Sequence, residues 1–151
     1  MPNFIATLKT DKDVSFIGAI AQNAVEYADV ALPSALSGVG GRARMRLTQV
    51  SIIATESLDY ELLLFSGVAH ATSDPDTNTF LGLVSFTAAA SKRIAAAGLY
   101  YYYVSGLDLP YNDDDATGKL HVGLVNRSAA SKTAGAGGAM AVSFTFTELG
   151  P

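Results

Sequence analysis

Two strand-like runs with a strong turn signal between them constrain this chain more than any other feature. Leu99 to Val104 is aromatic and β-branched, a composition that suits a pleated, half-buried surface. Leu120, Val122 and Leu124 then alternate with Lys119, His121 and Gly123. Period two describes a sheet with one dry and one wet face, and it predicts an outward His121. Between the runs, Pro110 lacks a backbone donor, and Asn112, Asp113, Asp114 and Asp115 tend to bond their own backbone, so the chain is expected to leave the sheet there. The same alternation returns at the end, where Met140, Val142, Phe144 and Phe146 face one way and Ala141, Ser143, Thr145 and Thr147 the other.

Further strands are predicted at Asn23 to Leu32, Arg42 to Thr55, Tyr60 to Phe65 and Phe80 to Phe86, with Glu56 to Asp59 joining the second and third as a hairpin. Ala88 to Gly98 has the only good helix composition and reads as one short helix or an irregular loop. Ser34 to Gly41 and Ser128 to Gly138 are small-residue loops. Seven or eight strands with frequent turns and little helix predict an all-β fold of two packed antiparallel sheets. A jelly roll is the expected topology, an immunoglobulin-like sandwich the alternative. Residues 1–22 form either an N-terminal arm or a first strand, and residues 23–151 the sandwich domain.

At 151 residues the chain can bury a core of its own, hiding roughly 70% of its unfolded surface. It has no cysteine, so neither disulfides nor thiolate metal sites are expected. Net charge is −4 and the basic residues are scattered apart from Arg42, Arg44 and Arg46, which argues against a nucleic-acid partner. The three arginines share one face of a strand and read as a solvated edge that discourages strand pairing. No window approaches the roughly 20 apolar residues of a membrane span, and the start does not read as a signal peptide, so synthesis in the cytoplasm with no membrane partner is expected.

Chemistry is sparsely represented. Asp74, Asp76 and Asn78 open like a calcium loop, but Thr79 and Ser85 stand where glycine and glutamate belong, and no metal is expected. His70 and His121 are the natural acid–base candidates, yet no nucleophile motif or paired ligand spacing accompanies them, so neither an enzyme nor a cofactor is expected. Only 16% of residues are charged, against roughly 25% in ordinary soluble domains, which predicts a surface partly covered by other protein. Phe4, Ile5, Leu8, Phe16 and Ile17 are candidate contacts to a partner or to a neighbouring copy. Of the four consecutive tyrosines, two face the core and two face out, making Tyr101 and Tyr103 candidate interface aromatics or a sugar-stacking platform.

The run YYYYVSGLDLPYNDDDATGKLHVGLVNRSAASKTAGAGGAMAVSFTF, about a third of the chain, resembles the C-terminal half of capsid decoration, or cement, proteins of tailed bacteriophages. The shared pattern is an aromatic strand, a turn like Leu109, Pro110 and Tyr111, a small acidic loop, a strand like Leu120 to Asn126 and a final alternating strand. The resemblance implies a β-sandwich, commonly a jelly roll, that assembles as a homotrimer on the outside of the virion head. Its partners would be the major capsid protein and other copies of itself. It implies no catalytic residues. The alternatives are a carbohydrate- or receptor-binding sandwich of a tail spike, and a minor tail or collar component.

Overall fold

The computed structural model describes residues 7–9, 14–32, 44–66, 80–94, 98–112 and 118–148. Ten strands run in chain order: β1 (Thr7–Lys9), β2 (Val14–Phe16), β3 (Val25–Ala31), β4 (Arg44–Ala54), β5 (Tyr60–Phe65), β6 (Phe80–Phe86), β7 (Lys92–Ile94), β8 (Leu99–Asn112), β9 (Lys119–Asn126) and β10 (Met140–Glu148). They form two antiparallel sheets, so the fold is an all-β sandwich. The large sheet has the order β1-β10-β4-β8-β7, with β2 also pairing β10, and the small sheet has the order β3-β9-β5-β6. The alanine-rich segment holds a 3-10 turn at Ala88–Ala90 followed by β7, and among the described residues there is no α-helix.

The core lies where the inner faces meet. Val50, Ile52 and Ala54 of β4, Val142, Phe144 and Phe146 of β10 and Tyr102 of β8 face Leu62 and Leu64 of β5 and Leu120, Val122 and Leu124 of β9. Alternation carries most of this, but it slips where β4 has an extra residue. Gln49 pairs Thr145 and Leu47 pairs Phe146, which leaves Thr48 as a bulge whose hydroxyl donates to the Thr145 carbonyl at 3.1 Å. The bulge flips the face, so odd-numbered Met45 and Leu47 are buried below it while even-numbered Val50 and Ile52 are buried above. On the other side of β4, three residues of β8 (106–108) span the same step, with Gly106 at φ +70 supplying the left-handed conformation.

Four sequence expectations are corrected. Pro110 does not end the strand: β8 continues to Asn112, and Pro110 pairs Arg46. Among the described residues β7 covers β8 from Leu99 to Tyr101 and none pairs with that flank of β8 at Pro110, where a missing N–H is tolerated. β4 and β5 are not a hairpin, because residues 55–59 cross from the large sheet to the small one. β9 is not wet on one face: every residue after Lys119 is buried. His121 is therefore 3% exposed rather than outward in solvent, covered on the outer face by its neighbours.

Residues 14–22 are built into the sandwich. Phe16 and Ile20 are in the core, and Ile20 and Lys132 exchange backbone hydrogen bonds of 3.0 and 2.9 Å. Asn126, fully buried, donates to the carbonyls of Ile20 at 3.0 Å and Ala130 at 2.8 Å and accepts the Ser128 amide at 3.0 Å. The Lys132 ammonium, also buried, donates to the Gly18 carbonyl at 2.7 Å. Burial holds it below the usual lysine range, against the opposing pull of Glu26 and Glu56.

Candidate functional surfaces

The outer face of the small sheet is apolar. Its cross-strand rows are Val25–Val125–Glu61–Ser85, Tyr27–Gly123–Leu63–Leu83 and Asp29–His121–Phe65–Phe80. Gly123 leaves room for its neighbours to lie flat on the sheet, since a Cβ there would stand 3.0 Å from both Tyr27 Cε1 and Val25 Cγ2. Tyr27 reaches across to Phe65 at a ring-centroid distance of 6.4 Å, and Phe65 meets Phe80 at 5.6 Å. Phe80 is on this face because of a second irregularity. Leu64 pairs Gly82 and Phe65 pairs Phe80, so Leu81 is extra and the face changes at Gly82, whose φ of +149 suits only glycine. Phe80 is 41% and Leu83 49% exposed.

Polar groups frame this face. The buried His121 imidazole donates from Nδ1 to the Asp29 carboxylate at 2.6 Å, because an ionised carboxylate can only accept. That bond ties β3 to β9. At the other end, the Arg127 guanidinium donates to Glu61 at 2.7 Å and to Asn23 at 3.0 Å.

The outer face of the large sheet mixes short hydroxyl and methyl side chains with two tyrosines and the exposed Ile17 and Ile53. One row runs Ser15–Ala141–Ile53–Tyr101–Lys92 and the next Ser143–Ser51–Tyr103, with the Ser51 and Ser143 hydroxyls 2.7 Å apart. Two shallow depressions lie on it. One, of about 210 Å³, is lined by Ile17, Ile53, Leu99 and Ala141 among others. The second, of about 250 Å³, is lined by Ala90, Lys92, Tyr101 and Tyr103. The two tyrosine rings stack at 6.2 Å and 27°, and the Tyr103 hydroxyl donates to Gln49 at 3.1 Å. Arg46 pairs with Asp108 at the far end of this sheet.

The residues singled out from sequence fall as follows. Ile17, 61% exposed, shares the large outer face with Tyr101 and Tyr103. Phe16 is fully buried and serves the core, not an outside partner. Leu8 pairs with Phe146 in β1, at the edge of the large sheet. Phe4 and Ile5 lie outside the described residues, as do His70, the Asp74 to Asn78 series and Asp113 to Asp115. The small-sheet face was not legible as a site. Its one signal is the unbroken apolar run Leu62 to Phe65, too apolar for a strand with one wet face.

Among the described residues no three acidic or imidazole side chains gather closely enough to hold a metal ion, and no helix is long and apolar enough to cross a membrane. Neither a protein-family model nor a curated protein matches this chain.

Proposed function

We propose that this chain is a non-enzymatic virion structural protein, a decoration protein that seats on the outside of a phage capsid and stabilises the shell. The observation that carries the reading is the apolar outer face of the small sheet, where the exposed Phe80 and Leu83 lie beside the half-buried Tyr27 and Leu63 on a chain of low charge content. Soluble monomers rarely leave such a patch open, and a partner that covers it gains its burial energy. The resemblance of the region from Tyr100 to Phe146 to cement proteins supplies the partner: the major capsid protein, with further copies of the chain completing a homotrimer.

The strand order supports the same reading. With β1 and β2 taken as one strand along β10, eight strands distribute between the sheets as first-eighth-third-sixth and second-seventh-fourth-fifth once β7 is set aside as an addition to β8. We read that order as jelly-roll-like, which supports the proposal because jelly rolls are used widely in viral shells. Binding at many equivalent lattice positions shifts the shell towards its intact state by mass action.

The test is to mix the purified chain with empty shells of the phage that encodes it and count bound copies by cryo-electron microscopy. Hundreds of copies per particle are expected, with Leu83→Asp reducing occupancy at least about tenfold while the circular dichroism spectrum stays unchanged. Failure to bind shells, or unchanged occupancy in the variant, would overturn the reading. A second reading, a receptor-binding sandwich of a tail spike or a minor tail component, draws on the Tyr101–Tyr103 depression, and a few dozen copies or fewer per particle would favour it.

A further inference from the structure

The depression on the large sheet has the makings of a ligand site that shell seating does not need. It lies on the sheet opposite the apolar face, so a chain docked through the small sheet keeps it open. Two features select the kind of molecule it takes. Tyr101 and Tyr103 stack on each other along the depression, the half-exposed Tyr103 offers aromatic surface to a ligand with a flat, weakly polar C–H face, and its hydroxyl, oriented by Gln49, keeps lone pairs for a hydroxyl donor. A pyranose ring has such a face, edged by hydroxyls.

Lys92 adds the second feature. It stands directly across from Tyr101 in the β7–β8 register, is exposed, and has no acidic partner among the described residues. An ammonium beside a stacking platform matches a sugar that carries a carboxylate, because the charge-assisted hydrogen bond adds to the stacking contact. A lysine on an edge strand also discourages strand pairing, but that role does not call for a stacked tyrosine pair beside it with Tyr103 half exposed. We infer that the groove lined by Lys92, Tyr101 and Tyr103 binds one unit of an acidic saccharide, a uronic acid, with its ring against the tyrosines and its carboxylate on Lys92. A virion carrying many such sites would hold weakly but multivalently to an acidic polysaccharide.

The full chain is titrated with a galacturonate tetramer, and with maltotetraose as the neutral control, by heteronuclear NMR and calorimetry. Saturable shifts centred on Lys92, Tyr101 and Tyr103 are expected with the acidic tetramer. Tyr103→Ala weakens that binding on the order of tenfold, and Lys92→Gln weakens it and removes most of its salt dependence. Tyr103 is half exposed, so its replacement leaves the fold intact, which the amide spectrum of the variant verifies. No saturable binding, equal binding of maltotetraose, or binding that survives Tyr103→Ala would each overturn the inference. None of these outcomes bears on shell occupancy, which is read separately.

Discussion

The Tyr102 hydroxyl donates to the Leu58 carbonyl at 2.8 Å and accepts the Leu58 amide at 3.0 Å, so one side chain of the large sheet satisfies both backbone groups of a residue in the crossover to the small sheet. Its ring packs edge-on against Tyr60 and Phe86 from that second sheet. Tyr102→Phe keeps the ring and removes both bonds. The expected cost is about 2 kcal/mol in urea denaturation, since two backbone groups lose their partner.

Asn126→Ala should cost more, about 3 kcal/mol by the same measurement, because three hydrogen bonds disappear from a fully buried position. The loss falls on the contact between residues 14–22 and the β9–β10 connection. Hydrogen exchange in the variant should therefore accelerate at Ile20 and Lys132 before it does in β4.

Lys132 sets a slope below pH 10.5. Its native pKa is lowered by burial from the ordinary value of 10.5, so the unfolded chain holds the proton more tightly than the folded one. Stability from this group accordingly rises as pH climbs through the window between the lowered value and 10.5. Urea midpoints measured across that window should increase in the natural chain relative to Lys132→Met, in which this contribution is absent.

Tyr60 acts in the opposite sense at higher pH. Its hydroxyl is pushed well above the ordinary value of 10.0, mainly by burial, with the charges of Tyr102 and Glu56 adding to it. The native state holds this proton after the unfolded chain has released it, so the contribution is complete below pH 10.0 and is lost as pH rises beyond it. Phenolate absorbance should show ionisation of Tyr60 coinciding with alkaline unfolding, and Tyr60→Phe should move that unfolding to higher pH.

Gly123→Ala tests how the apolar face is assembled. Alanine in a strand interior would ordinarily gain about 0.5–1 kcal/mol over glycine, but here the added methyl meets Tyr27 and Val25, and overpacking costs about 1–3 kcal/mol. Net destabilisation of about 1 kcal/mol is expected, with the Tyr27 ring displaced from Phe65. Aromatic chemical shifts of those two residues report the displacement directly.

Much of the architecture was legible in the chain because its best strands have one buried face. β10 alternates as the sequence alternates, and Tyr102 turns inward while Tyr101 and Tyr103 turn out. What alternation cannot convey is which strand lies beside which. Residues 55–59 look like a hairpin turn locally, but hydrogen bonds between Tyr102 and Leu58 and between Asp59 and each of Ser128, Ala88 and Arg127 tie the chain to the other sheet. Nor can it convey a face covered by its own neighbours. Lys119, His121 and Gly123 read as wet, but Tyr27, Val25 and Phe65 come from distant sequence to lie over the last two. The surface proposed to meet the shell was hidden for the same reason, since a bulge at Leu81 decides that Phe80 belongs to it.

The interleaving of the large sheet has a consequence for biosynthesis. β4 sits between β10 and β8, and among the described residues β7 with β8 is the only pair of neighbours there that follow one another in the chain. As the polypeptide leaves the ribosome, β4 waits with both flanks bare until strands made much later arrive. Collapse to the native form is thus a late, concerted event on roughly the millisecond-to-second scale of all-β topologies. Until then the greasy Leu62 to Phe65 run and several unpaired edges are open to mispairing, which makes the unfinished chain a natural client for holding chaperones.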